Sequence, residues 1–475
     1  MLPDEVLLEI FNFYADEVQF KFTKKRVEAW LSLVHVCRQW RDVVFGSPRR
    51  LHLRLVCTPG TPARDMVDVW PALPLRIELL IWAEGPDTSD MNNIISVLKH
   101  DVCVTCVSQI KLVGVPGLQL EKVLAAMQDP FPGLIHFELW SYDEMVPILP
   151  NSFLGGSTPS LRFLLLSRVP FPGLRNLLIS ATHLVDLHLW GIPRSSYISP
   201  EAMLATLHVL TGLESLSLKF QVQPRSPYYN PNLRTHHVYL NSLKRFWYKG
   251  DNEYLDELVA SIVTPGLEYL DITFFNDIIF ETPQLAEFIT SAPTLRTPKK
   301  AHISFEHGAA RVNLLSQTSG YGEIILEISC RGPDWQVTSL EGVCTSCLPS
   351  FSTLEDLCIF EHSYSQLDWQ DIEDDFENKL WLDLFHPFTH VKNLYLSEVS
   401  APRIALALQG LIVDRTTDVL PSLQNIFLEG LQPLGPVRPV QKAIGKFVDA
   451  REVTGHPIAI SRWDRSQEVK VLGGR

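Results

Sequence analysis

The sequence predicts an α/β protein in which a small helical head precedes a long, curved solenoid of parallel strands. Three observations lead there. A six-residue pattern, apolar-x-x-apolar-x-apolar, recurs ten times along the chain. Helical stripes of period 3.6 lie between several of its copies. The first forty-odd residues lack the pattern and instead carry two short amphipathic helices.

The six-residue pattern reads Val107-Ile110-Leu112, Leu134-Phe137-Leu139, Leu161-Leu164-Leu166, Leu184-Leu187-Leu189 and Leu213-Leu216-Leu218. It continues as Leu243-Phe246-Tyr248, Leu267-Leu270-Ile272, Leu354-Leu357-Ile359, Val391-Leu394-Leu396 and Leu423-Ile426-Leu428. The first seven copies start 27, 27, 23, 29, 30 and 24 residues apart. Leucine-rich repeats of about 20–29 residues have this core and this interval. An ordinary doubly wound sheet would not keep one pattern at so regular a spacing. The 87 residues between Leu267 and Leu354 leave room for two degenerate repeats, with Ile303-Phe305 and Ile324-Leu326-Ile328 as candidate strands. Leu51, Leu53 and Leu55, then Leu75, Ile77, Leu79 and Ile81, alternate with period two and predict two further strands.

Helices are expected after Ser199-Pro200, across Tyr254–Ile262 and across Gln284–Ile289. Val440–Arg451 reads as an amphipathic helix and Ile458–Trp463 as a last strand. Together they make a C-terminal cap from about residue 436 to 475, which an open array of repeats needs. Two loops are expected to interrupt the array. One is the proline-rich Gln223–Asn232; the other is the acidic Asp368–Glu377, a solvated run with two aromatics that look buried.

The head opens on Pro3-Asp4-Glu5, a proline with first-turn acids that suits a helix start. Val6, Leu7, Ile10 and Phe11 form one apolar stripe, and Leu33, Cys37, Trp40 and Val44 a second. A segment of under about 50 residues buries too little surface to stand alone. Part of its apolar surface is therefore expected to face another molecule.

LPDEVLLEIF followed by LVHVCRQWRDVV resembles an F-box, the module that docks proteins onto the Skp-type adaptor of a cullin ubiquitin ligase. The resemblance covers Leu2 to about Pro48, giving domains of 1–48 and 49–475. It implies that Leu2, Pro3, Leu7, Ile10, Phe11, Val36, Cys37 and Trp40 form or support the adaptor-facing surface. The motif begins at the second residue, so any upstream arm is expected to be absent. The link from Ala15 to Glu28 is longer than usual for the family. Trp381–Thr389 and Gly455-His456-Pro457, within this layout, look like the large F-box family of mushroom-forming fungi.

Composition narrows the classes. At 475 residues the chain exceeds one compact core, and 46% hydrophobic with 20% charged residues is ordinary for a folded protein. No apolar run approaches the roughly 20 residues that span a bilayer; the stretch from Ile77 to Ala83 is closed by Glu84. The acidic N-terminus has no basic signal-peptide region, so a cytosolic or nuclear protein is expected. Residues 1–50 hold eight basic and seven acidic side chains, leaving 33 basic against 47 acidic, or −14, for the rest. Nucleic acid would be repelled by that remainder. Partner proteins with basic patches suit it better.

Eight cysteines are scattered. Cys103-x-x-Cys106 and Cys344-x-x-Cys347 stand 241 residues apart, against about 15–20 in zinc ribbons, and read as small buried side chains at repeat seams. Asp383, His386 and His390 are a weak metal candidate, since Pro387 ends any helix that would align the two histidines. His236-His237 has no neighbouring carboxylate. No phosphate loop, nucleophile elbow or His-Glu-x-x-His pattern is present. Neither enzyme activity, nor a cofactor, nor a metal is expected.

The remaining informative surface is the open, concave side of the strands, where residues alternate with the core-facing ones. Glu138, Trp140, Phe163, His188, Trp190, Arg245, Trp247, Tyr269, Asp271, Tyr395 and Phe427 are predicted there. Such aromatics either bind a target or pack on one another as a ladder. The function expected is a substrate receptor of a cullin-type ubiquitin ligase whose repeat domain holds an unidentified target protein. An interaction scaffold independent of ubiquitin ligases is the alternative.

Overall fold

The computed structural model describes residues 2–19, 29–47, 55–58, 73–80, 91–100, 105–143, 146–221, 237–275, 282–316, 322–330, 332–346, 348, 351–361, 374–411, 417–430 and 439–464. Its contacts cluster into two compact units, Met1–Ser196 and Tyr197–Arg475. The expected Gln223–Asn232 loop, the paired residues Cys103 and Cys347, and Leu51 and Leu53 lie outside the described residues.

The first unit begins with helices α1 (Asp4–Gln19), α2 (Ala29–Val34) and α3 (Arg38–Gly46). The Pro3 carbonyl accepts hydrogen bonds from Val6 and Leu7, which starts α1. Leu33–Val44 is not the single stripe expected. Cys37 is extended, at φ −158°, and its Sγ accepts from the Trp40 amide at 3.5 Å, so it caps a separate helix. The three helices bury Leu7, Leu8, Phe11, Leu33, Val34, Val43 and Val44, and the Phe11 and Trp40 rings meet at 4.8 Å. Arg41 Nε donates to the Val34 carbonyl at 3.1 Å, tying α3 to α2.

Behind the head run β1 (Leu55–Cys57), β2 (Leu75–Leu80), β3 (Val107–Val113), β4 (His136–Trp140), β5 (Phe163–Ser167) and β6 (Asp186–Ile192). Neighbours in sequence are parallel neighbours in space. The register aligns Ile110, Phe137, Leu164 and Leu187 in one buried row and Leu112, Leu139, Leu166 and Leu189 in the next. The repeated pattern is thus the inner face of the ladder. Helices Met91–Leu98, Gly117–Ala125 and Leu174–Ser180 cross between strands. Between β4 and β5 a 3-10 turn, Phe153–Gly156, takes the helix's place; Phe153 meets Phe137 at 5.4 Å and Phe171 at 5.7 Å.

In the second unit β7 (Ser215–Phe220), β9 (Arg245–Gly250) and β11 (Tyr269–Phe274) continue the parallel pattern, with β8 (Val238–Tyr239) and β10 (Ile262–Val263) as a separate parallel pair. The stretch after β11 departs from two plain repeats. It folds as β12 (Lys300–Glu306), β13 (Ala309–Leu315) and β14 (Glu323–Ile328), an antiparallel meander. Both candidate strands are there, as β12 and β14. The unforeseen β13 lies between them, and it is β14, not β12, that pairs with β11. The ladder resumes in parallel with β15 (Asp356–Glu361) beside β12, then β16 (Asn393–Leu396), β17 (Asn425–Glu429) and β18 (Ala459–Trp463).

Helices stand near where the sequence places them at Pro200–Leu207, Asn252–Val259, Pro283–Ser291 and Pro439–Val453, and three further ones that it did not place are Pro333–Ser346, Asp374–Phe385 and Ala401–Gln409. Four begin on proline, which costs a first-turn position no useful donor. Ser199 Oγ caps the first by accepting from the Ala202 amide at 3.3 Å. The acidic run meets a different outcome from the one expected. Phe376 is half exposed, because Trp381, Leu384 and Phe385 occupy the inward face of its helix; Trp369 lies outside the described residues.

Two neighbouring helices of this unit set one carboxyl group against another. Burial, and then the charge and hydrogen bond of Glu201, push the Glu257 carboxyl up to about 7. Glu201, hydrogen-bonded to Ser199, is held below the usual range and stays charged. A raised carboxyl favours the folded state fully below its unfolded value of 4.5, and that contribution is lost as pH rises through about 7. The melting temperature is therefore expected to fall between about pH 5 and pH 8. Glu257→Gln should flatten that segment of a thermal-denaturation pH series.

Candidate functional site

Two surfaces stand out. The first is on the head. Leu2, Val6, Ile10 and Phe13 follow one another at i, i+4, i+8 and i+11 and are 52%, 42%, 46% and 73% exposed. Val36, at 58%, and the exposed Cys37 lie at the α2–α3 turn. The single stripe expected on α1 is thus two faces. Leu7 and Phe11 point into the head and support the surface from beneath, as does the half-buried Trp40. Leu2, Pro3, Ile10, Val36 and Cys37 are on the outside. Val6 and Phe13 belong with them and were missed; the i, i+4 spacing from Leu2 was the available signal. Gln39 Nε2 donates to the Leu2 carbonyl at 3.4 Å and to Asp4 Oδ1 at 3.3 Å, bringing the start of α3 to the start of α1.

The second surface is the open face of the strands, taken unit by unit. In the first unit the register sets Gln109, His136, Phe163 and Asp186 in one row, Lys111, Glu138, Leu165 and His188 in the next, and Val113, Trp140, Ser167 and Trp190 in a third. His136 stacks on Phe163 at 4.1 Å. Trp140 and Trp190 meet edge to face at 5.1 Å over the small Ser167, with His188 5.8 Å from Trp190. Glu138 is buried, between Lys111 Nζ at 2.9 Å and His136 Nε2 at 3.7 Å. Burial alone would raise its carboxyl. The hydrogen bonds and charges of His136 and Lys111 outweigh that and hold it below its ordinary value.

In the second unit Arg245 Nη2 and Nε donate to Ser215 Oγ at 2.7 and 3.0 Å, and its guanidinium lies 5.8 Å from the Trp247 ring centre. Trp247 packs on Tyr269 at 5.4 Å, and the Tyr269 hydroxyl donates to Asp271 Oδ2 at 3.4 Å. Burial and then Asp271 push the Tyr269 phenol up to about 12. Tyr395 stacks on Phe427 at 4.5 Å and meets Trp463 edge-on at 5.6 Å, with Lys300 Nζ 5.5 Å above it. The aromatics therefore do pack across strands as a ladder, while every one of the predicted aromatics keeps part of its surface exposed.

One feature of this face went unread. Asn425 Nδ2 donates to Asn393 Oδ1 at 2.8 Å, and Asn393 Nδ2 to Asp356 Oδ1 at 2.7 Å, an amide ladder over three repeats. Its signal was an Asp or Asn at the third place of three successive repeat patterns. Asn393→Ala should break both bonds and cost about 1–3 kcal/mol in urea denaturation.

Among the described residues no group of three His, Cys, Asp or Glu could hold a metal ion. His386 Nε2 lies 3.9 Å from Asp383 Oδ1, whereas the His390 ring contacts Thr389 Oγ1 at 3.0 Å. Among the described residues no helix is long and apolar enough to cross a membrane.

The two-faced α1 and the Cys37-capped α3 are the geometry on which comparison with known proteins bears. Residues 1–58 match the family model described as F-box-like. The head is an F-box-like domain. No curated protein matches the chain. Among solved structures, the leucine-rich repeat-containing protein LegL7 from Legionella pneumophila aligns at 13% identity over 84% of this chain and 98% of that one, with a TM-score of 0.24. The repeat reading accordingly rests on the ladder's own register. F-box-like and leucine-rich-repeat-like families are generally interaction modules.

Proposed function

We propose that this chain is a substrate receptor of a cullin-type ubiquitin ligase. The F-box-like head would dock on a Skp-type adaptor, and through it a cullin, while the open strand face holds a target protein. The observation that carries the reading is the solvent-facing apolar stripe Leu2-Val6-Ile10-Phe13 on a helix whose opposite side is already buried. A helix apolar on two sides has one side intended for a partner. The receptor itself makes and breaks no bond. It raises the local concentration of a target lysine near a charged ubiquitin-conjugating enzyme. The sequence resemblance of the Trp381–Thr389 and Gly455-His456-Pro457 phrases is what places the chain, in this reading, with the F-box proteins of mushroom-forming fungi, acting in the cytosol or nucleus.

The test is co-purification of the full chain with a Skp-type adaptor at equal stoichiometry. An adaptor-free monomer, indifferent to added adaptor, would make the chain a scaffold unconnected to ubiquitin ligases.

A further inference from the structure

We propose that the outer side of helices Pro333–Ser346 and Asp374–Phe385 docks a basic, amphipathic helix of a partner protein. The site lies on the helical layer of the second unit and rests on neither the head nor the open strand face. Each helix leads into one of the parallel strands β15 and β16, and the two pack side by side. Their outward residues repeat at an offset of 41. Trp335, Thr338 and Thr345 on the first correspond to Phe376, Lys379 and His386 on the second, and all six are exposed. Burial and then the Asp383 charge raise the Glu341 carboxyl, and His386 opposes them, so these three side chains are neighbours across the helix pair. Trp335 and Phe376, each third in its helix, therefore stand level with one another on axes about 8–10 Å apart.

Trp335 is 56% exposed and Phe376 50%. Neither is needed by the core, because Val337, Leu340 and Val343 bury the inner side of the first helix and Trp381, Leu384 and Phe385 that of the second. The exposure is also local. Helices Pro200–Leu207, Asn252–Val259 and Pro283–Ser291 of the same unit carry no exposed large apolar side chain. Two large rings left in water side by side are the usual anchors of a binding surface.

Charge and spacing select the occupant. The two helices hold six Asp or Glu and one Lys. One of the six, Glu377, faces Arg403, whose Nε is 3.2 Å away. Asp334 and Asp375 adjoin the two rings in sequence, and Glu341 and Asp383 follow about two turns on, near 10 Å at a rise of about 1.5 Å per residue. Lys379 stands between these groups, and His386 Nε2 lies 3.9 Å from Asp383. Four carboxylates against one lysine keep the outer side negative. A second copy of this chain, at −13, is a poor match for it. A partner helix laid along the pair presents residues seven apart on one face, at the same spacing of about 10 Å. An apolar residue on the rings, with Lys or Arg two turns on against Glu341 and Asp383, fits both ends.

The experiment uses the full chain and a fluorescent, alanine-based helical peptide of about sixteen residues. It carries two leucines near one end and an arginine seven residues after each. Saturable binding is expected. It should weaken at least tenfold in Trp335→Ser/Phe376→Ser, at least tenfold in Glu341→Lys/Asp383→Lys, and steadily with added salt. The peptide with glutamates for arginines, or with its residues scrambled, should not bind. No saturable binding, binding unchanged in either double variant, or equal binding of the scrambled peptide overturns the proposal. So does self-association of the chain in sedimentation that is lost in Trp335→Ser/Phe376→Ser, which would give the face to a second copy. Both variants should melt like the parent chain; if the aromatic one melts early, the charge-reversed one decides. Adaptor capture by the head, measured on the same preparations, should be unchanged in both, so a failure here leaves the receptor reading standing.

Discussion

Ile10→Glu together with Val36→Glu is expected to abolish capture of a Skp-type adaptor while the chain stays folded. Both side chains are about half exposed, so their replacement costs the free protein within about 0.5 kcal/mol. In the docked state each would bury apolar surface worth about 1.5–3 kcal/mol, and a charge placed there adds a desolvation penalty. A loss of at least about 100-fold in affinity follows, or about 2.7 kcal/mol. The contrast is Phe11→Ala. That ring is fully buried against Trp40, and its removal costs about 3–5 kcal/mol of head stability. Capture would be lost there too, but with a change in the melting of the head. Titration calorimetry with purified adaptor, alongside thermal denaturation, separates the cases. Full-strength capture by the double variant would exclude the exposed stripe as the docking surface.

The second large effect is expected at Arg451 in the terminal helix. Its side chain is fully buried and Nη2 donates to the carbonyls of Leu420 and Pro421 at 3.3 and 3.1 Å. Burial pulls the guanidinium pKa down. Leu420 sits at φ +49°, a left-handed conformation that a leucine adopts only when its surroundings hold it. Arg451 is part of what holds it, and the Phe447 ring lies 5.9 Å from its guanidinium carbon. Arg451→Met keeps the bulk and removes the donors, leaving one buried and one part-buried carbonyl short of partners at a cost of about 2–4 kcal/mol. Lys446→Met, on the exposed side of the same helix, should be silent in the same urea titration.

Much of this architecture was legible because burial in a parallel ladder repeats. Each copy of Leu-x-x-Leu-x-Leu reports one strand, and the alternation within it reports which side faces out. That is why Trp140, Trp247 and Tyr395 read as open-face residues from the sequence. What failed to show was anything set by the partner strand and not by the strand itself. Ala310, Val312 and Leu314 alternate as well as any strand in the chain, yet nothing local says that β13 runs backwards. Only the short His307-Gly308 turn after β12 hints at a hairpin. The two faces of α1 blurred for a related reason. Val6 and Ile10 are as apolar as Leu7 and Phe11, and periodicity cannot tell a side covered by its own chain from one left for another.

The reversal at β12–β14 bears on how the second unit comes apart. In a plain repeat array each strand waits only for the one before it, and unzipping can stop at any seam. Here β11 finds its neighbour in β14, after the chain has run past through β12 and β13, so four strands are knitted by one detour. The seams on either side cannot open independently across that knot. Pulled from its C-terminus, this unit should peel strand by strand only as far as β15 and then give way in a single larger step.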